Sequence, residues 1–169
     1  MALDLQLGRS GFTGAVAAAA TLWALAGGMV LLAVVLINFI SVIGGIVWKP
    51  FPGDFELTEI GVAVAAFSFL PYTQITGANV TADIFTSGAS PRTIAAFTCL
   101  AALIATLFAG LLTWRMYFGM LDQKAYNYTS AILQIPLWWG FVPILFSLVL
   151  LAFAAIVTFL ENTRKFAGT

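Results

Sequence analysis

Few residues in this chain could carry chemistry, and their types limit what that chemistry could be. The sequence holds 7 basic and 7 acidic residues, one cysteine and no histidine. The lack of histidine excludes histidine-ligated haem, histidine-centred metal sites and the usual imidazole proton shuttle. Cys99 has no second cysteine to pair with in the chain and reads as a small apolar helix residue. No Gly-rich phosphate loop, paired-cysteine motif or Ser/His/Asp set is present, so neither catalysis nor a bound cofactor or metal is expected. What remains are the carboxylates Glu59 and Asp83 and the neutral amides Asn38 and Gln74. An ionised group deep in a bilayer costs at least about 2.5–3.5 kcal/mol, so one placed there marks a transport path. Interhelical hydrogen bonds, worth about 0.6 kcal/mol on average, account for the amides without any ligand.

The elements that position these residues follow from the charge pattern. Residues 10–48, 60–82, 93–114 and 125–160 contain no Asp, Glu, Lys or Arg. About 20 apolar residues cross a hydrocarbon core of roughly 30 Å as a helix. The chain is 62% hydrophobic and 8% charged, against soluble norms of about 45–50% and about 25%. Barrel strands would be about 10 residues long and would alternate apolar with polar, which these runs do not. The expected fold class is therefore all-α: a polytopic membrane protein with four transmembrane helices in one bundle, forming a single domain over residues 1–169. Net charge is zero, giving no reason to expect nucleic acid as a partner.

The spans are placed at about 13–40, 57–76, 92–115 and 136–160. The first uncharged run is longer than the bilayer requires, so helix 1 is long and tilted, or broken at Gly44-Gly45. Its apolar character runs on well beyond the 7–15 residues of a signal-peptide core, which favours a retained span. Lys49-Pro50-Phe51-Pro52-Gly53 forms a loop, and Asp54 is the expected N-cap of helix 2, with Glu56 and Glu59 near its positive end. Pro71 should kink or shorten that helix. Ser90-Pro91 opens helix 3, and a third loop carries Asp122, Lys124, Asn127 and Tyr128. Ile135-Pro136-Leu137-Trp138-Trp139 opens helix 4, which Pro143 should bend.

With four crossings, Trp48, Trp114, Tyr117, Tyr126, Tyr128, Trp138 and Trp139 fall at one membrane face as an interfacial belt. Three crossings would split them. The opposite face carries both termini with Arg9, Arg92, Arg164 and Lys165, against Lys49, Arg115 and Lys124 at the belt face. That bias places both termini in the cytoplasm. Glu59 lies only a turn or so inside helix 2, where the helix dipole can stabilise it; contact with a partner subunit is the alternative. Ala20, Ala24 and Gly28 make a small-residue stripe on helix 1, suited to close packing, and Ala101, Ala105 and Ala109 make another on helix 3.

Three motifs carry a resemblance. They are Gly53-Asp54-Phe55-Glu56-Leu57-Thr58-Glu59 opening helix 2, Gly77-Ala78-Asn79-Val80-Thr81-Ala82-Asp83 following it, and Ile135-Pro136-Leu137-Trp138-Trp139 with Pro143 opening helix 4. In this order, over nearly the whole chain, they resemble the small membrane subunit of tripartite ATP-independent periplasmic (TRAP) transporters. The family's acidic position early in helix 2 corresponds to Glu59, and its Gly-x-x-Val-x-x-Asp-like segment to Gly77, Val80 and Asp83. Asn79 stands where many members have His, which argues against proton chemistry there.

The resemblance implies a bacterial or archaeal inner-membrane scaffold that anchors a large multi-span transport subunit. That subunit would hold the substrate and sodium sites, and a periplasmic substrate-binding protein would deliver an organic acid. The charges of the outward loops, Lys49, Asp54, Arg115, Asp122 and Lys124, are candidates for docking that protein. Ordinary interfacial snorkelling explains them equally. Glu59, Asp83, Asn38, Ala20, Ala24 and Gly28 are candidates for subunit or helix packing. Two other readings stay open. One is an accessory structural subunit of another membrane complex. The other is a stand-alone four-helix exporter, disfavoured because helix 1 lacks a carboxylate.

Overall fold

The computed structural model describes residues 11–77 and 91–167. Four helices account for most of them: α1 (Phe12–Val47), α2 (Asp54–Thr76), α3 (Pro91–Ala125) and α4 (Trp138–Ala167). Each is long and apolar enough to cross a membrane, and no strand occurs among the described residues. α1 packs along α2, α2 along α4 and α4 along α3, with a smaller contact between α1 and α4. α2 and α4 thus take the middle of the bundle, with α1 outside α2 and α3 outside α4.

α1 is unbroken through Gly44-Gly45. At about 1.5 Å per residue its 36 residues are about 54 Å long, so it must incline in the bilayer or project from it. Gly44 serves a different purpose from a break. A Cβ there would lie 2.4 Å from the carbonyl oxygen of Lys49, so the bare glycine lets the chain fold back over the helix end. The Trp48 N–H closes that end on the Gly44 carbonyl at 2.7 Å.

A helix that is apolar all round cannot choose its buried face by polarity, so side-chain size chooses it. Ala17, Ala20, Ala24, Gly27, Val34 and Ser41 are the buried positions, with Val16 beside them. Their spacing of three and four residues repeats every seven, the seam of a left-handed helix pair. Gly27 and Gly61 are its closest approaches: a Cβ would meet the Ser68 Cβ from the first and Val34 from the second. Nearer the chain termini, Val16, Ala17 and Ala20 of α1 join Ile75 of α2 and Leu150, Ala154 and Val157 of α4 in one core cluster. Trp23 ties α1 to α4, donating from Nε1 to the Ser147 hydroxyl at 2.8 Å.

α2 continues past Pro71, which is buried, and ends at Thr76 with Gly77 in the left-handed region at φ 65°. α3 runs ten residues beyond the expected boundary, to Ala125. Between 115 and 125 the chain has one glycine, Gly119, and no proline, and a lone glycine costs too little to stop the helix earlier. A Schellman cap ends it: Asn127 takes φ 52°, Tyr128 N–H donates to the Gln123 carbonyl, and Asn127 N–H to that of Lys124. Arg115, Asp122 and Lys124 therefore stand on the helix and not in a loop. α4 starts at Trp138 and not at Pro136, which instead forms an isolated antiparallel bridge with Thr129.

Candidate functional site

A group of polar side chains bonded between elements gathers at the end of the bundle that carries the aromatic belt. There α1 turns into α2, and the α3–α4 connection comes down over that turn. Ser41, on the buried seam of α1, receives the Phe51 N–H at 3.1 Å and donates to the Asp54 carboxylate. One turn along, Asn38 donates to the Thr58 hydroxyl at 2.6 Å and to the Val34 carbonyl at 2.9 Å. Asn38 and Ser41 are three residues apart, Asp54 and Thr58 four, so each pair shares a helix face. Asp54 is not the N-cap. Gly53 takes that position at φ 77°, which leaves the half-buried carboxylate free to reach α1.

Glu56 joins the two connections. Its carboxylate oxygens accept the backbone N–H of Ile132 at 2.6 Å and of Leu133 at 3.0 Å. The loop presents these donors together because it is folded on itself. Ser130 N–H donates to the Ile135 carbonyl, Ile135 N–H returns to the Ser130 hydroxyl, and Gln134 stands in the left-handed region at φ 55°. Leu133 then lies against Gly53, where a Cβ would come within 2.4 Å of its Cγ. A charged strut and an apolar latch hold the connections together as a clasp. Only glycine suits position 53, since both its φ and its neighbour exclude a side chain.

Beneath the clasp is a cleft of about 500 Å³ between α2, α3 and α4. Ser130 and Ala131 cover it, while Ile60, Ala63, Met116, Phe141 and Ile144 make its walls apolar. Besides Glu56 and Ser130, whose oxygens already accept backbone N–H groups, two polar residues reach it: Glu59 and Gln123. Glu59 is exposed and has no hydrogen bond or ion pair among the described residues. The Gln123 Oε1 is buried without a hydrogen-bond partner.

Asp54 and Asn38 meet α1–α2 partners. Glu59 lines the cleft. Ala20 and Ala24 are buried in the α1 seam, whereas nothing lies within 4 Å of a Cβ built on Gly28; the close approach is at Gly27. Ala109 is fully buried on α3, while Ala101 is exposed and Ala105 is half-buried. Lys49, Arg115 and Asp122 are exposed at separate points, and Lys124 places its Nζ 5.2 Å from the centre of the Trp138 ring. Asp83 lies outside the described residues, as do Val80 and Asn79. Glu56 and Gln123 were not singled out as sites by sequence reasoning. A carboxylate in the first turn of a helix looks like dipole compensation, and the backbone donors it meets, 76 and 77 residues away, leave no side-chain signature.

No curated protein and no solved structure matches the chain at a significant level. Residues 34–165 match the family model described as tripartite ATP-independent periplasmic transporters, DctQ component. The match starts in the second half of α1 and runs through the clasp, the cleft and α4. A transporter component with four membrane-spanning helices is an inner-membrane protein. Covering most of the chain, the match makes this polypeptide a member of the DctQ family, the small membrane subunit of tripartite ATP-independent periplasmic transporters.

Proposed function

We propose that this subunit is a fixed scaffold that anchors the large multi-span transport subunit and helps seat the periplasmic substrate-binding protein during sodium-coupled uptake of an organic acid. The observation that carries the reading is where the charge is not. The uncharged runs 10–48, 60–82, 93–114 and 125–160 make up the bulk of the four helices; Glu59 stands less than two turns inside α2, and Arg115, ten residues short of the end of α3, is exposed. A solute or ion path through the bilayer needs polar groups at depth. A brace needs shape and apolar area, and here Leu22, Leu25, Met29 and Leu32 on α1, with Leu103, Ile104, Leu107 and Phe108 on α3, are exposed. The substrate and sodium sites then belong to the large subunit.

In this reading both termini face the cytoplasm, following Arg9, Arg92, Arg164 and Lys165. The belt face is periplasmic and presents Lys49, Arg115, Asp122 and Lys124 to the binding protein. Asp54 contributes by shaping the turn, since its carboxylate is engaged by Ser41. Charges at the edge of an interface act mainly on association rate. Reversing both Arg115 and Lys124 to Glu is therefore expected to lower uptake about tenfold at limiting binding protein, with co-purification of the large subunit unchanged. Uptake measured in vesicles across a range of binding-protein concentrations tests this. Identical concentration curves for variant and wild type would reject the docking role.

A further inference from the structure

We propose that the cleft beneath the clasp receives one cationic side chain, a Lys or Arg, from the large membrane subunit, held between the Glu59 carboxylate and the Gln123 Oε1. This rests on the scaffold reading and names one contact within it. The free polar atoms that reach the cleft decide the chemistry. Glu59 can only accept hydrogen bonds when ionised, and the Gln123 Oε1 is an acceptor already removed from water and unmatched. The Glu56 oxygens are taken by Ile132 and Leu133. An anion would meet the like charge of Glu59, and an apolar plug would leave both groups stranded. A cationic donor satisfies both. No Lys or Arg of this chain among the described residues lines the cleft, so the cation must come from elsewhere.

Position selects the source. Ser130 and Ala131 cover the cleft, and the clasp ties that cover to α2, so a soluble partner arriving over the loops meets the cover first. Apolar walls suit the methylene stem of a Lys or Arg reaching along a membrane helix. A space of about 500 Å³ exceeds one such side chain and leaves room for the helix end that bears it.

The test uses this chain, tagged and co-expressed with the large subunit, and captured in mild detergent. Wild type should retain the large subunit. The isosteric Glu59→Gln should reduce retention about tenfold or more, and Glu59→Arg should abolish it. Gln123→Leu should cause a smaller loss. Replacing one Lys or Arg of the large subunit with Glu should restore capture by Glu59→Arg alone. Monodisperse elution of each variant without its partner separates a lost contact from a misfolded chain. Undiminished capture by Glu59→Gln and Glu59→Arg would overturn the inference while leaving the scaffold intact. So would native mass spectrometry showing a phosphatidylethanolamine molecule lost from Glu59→Gln with capture unchanged, which would assign the cleft to a lipid ammonium. Failure of wild type to retain any large subunit would overturn the scaffold reading as well.

Discussion

Gly27→Ala should destabilise this protein by about 1–3 kcal/mol, while the same substitution at Gly28 should be neutral or slightly stabilising. The two glycines are consecutive on α1 and differ in one respect. A Cβ at Gly27 would lie 2.5 Å from the Ser68 Cβ and 3.5 Å from the Ala65 carbonyl oxygen, whereas one at Gly28 would meet nothing within 4 Å. Ser68 and Ala65 are each 1% exposed, and the nearest atom in the way, the Ser68 Cβ, is attached directly to the backbone. No flexible side-chain end can swing aside, so α1 and α2 must separate. Gly27→Leu enlarges the same wedge and should undo the helix pair over its central turns, taking the Asn38–Thr58 bond with it. Thermal unfolding in detergent, followed by tryptophan fluorescence, reads the difference. A fall of about 2–4 °C per kcal/mol is expected for Gly27→Ala, with little change for Gly28→Ala. Equal shifts at the two positions would mean that the seam runs elsewhere.

Removing the Glu56 carboxylate should release the α3–α4 connection from α2. Glu56→Leu leaves the Ile132 and Leu133 N–H groups without an acceptor and sets an apolar side chain where they converge. Glu56→Gln keeps the size but can offer only one oxygen, so one of the two donors loses its partner. Hydrogen exchange at residues 131–134 should quicken about tenfold or more in Glu56→Leu and by less in Glu56→Gln. Exchange in α4 around Leu148 and Val157, both fully buried, should not change. Because Lys124, Trp138 and the loop form one face, Glu56→Leu should also slow uptake without releasing the large subunit. Unaltered exchange at 131–134 would show that Leu133 packing on Gly53 holds the connection by itself.

What could be read from the residues alone follows a physical divide. Four uncharged runs were enough to give four helices, because burying ionised groups in hydrocarbon costs more than any local preference can offset. The ends were less legible, since they turn on small energies. Two glycines cost α1 only about 2 kcal/mol together, too little to break a helix with apolar residues on both sides. The end of α3 is set by a cap at Asn127, and asparagine there looks like any loop residue until its φ is known. The small-residue face of α1 was visible, but counting in fours leads from Ala24 to Gly28, while a seven-residue repeat leads to Gly27. The wrap of one helix around another decides that single-residue difference. Beside the clasp, Asp54 and Asn38 stand out in the sequence by their polarity. Their partners Ser41 and Thr58 are small residues that nothing in the sequence distinguishes, and Glu56 is engaged by backbone that no side-chain pattern announces.

The proposed role, support of transport by a subunit that conducts nothing itself, is decided by reconstitution. Liposomes should be prepared with this chain alone, with the large subunit alone, and with both, each with binding protein and an imposed sodium gradient. Accumulation of an organic acid is expected only when both subunits are present, and this chain alone should match protein-free vesicles. Gradient-driven accumulation of any solute by this chain alone would show that it conducts and would rule out the proposed role.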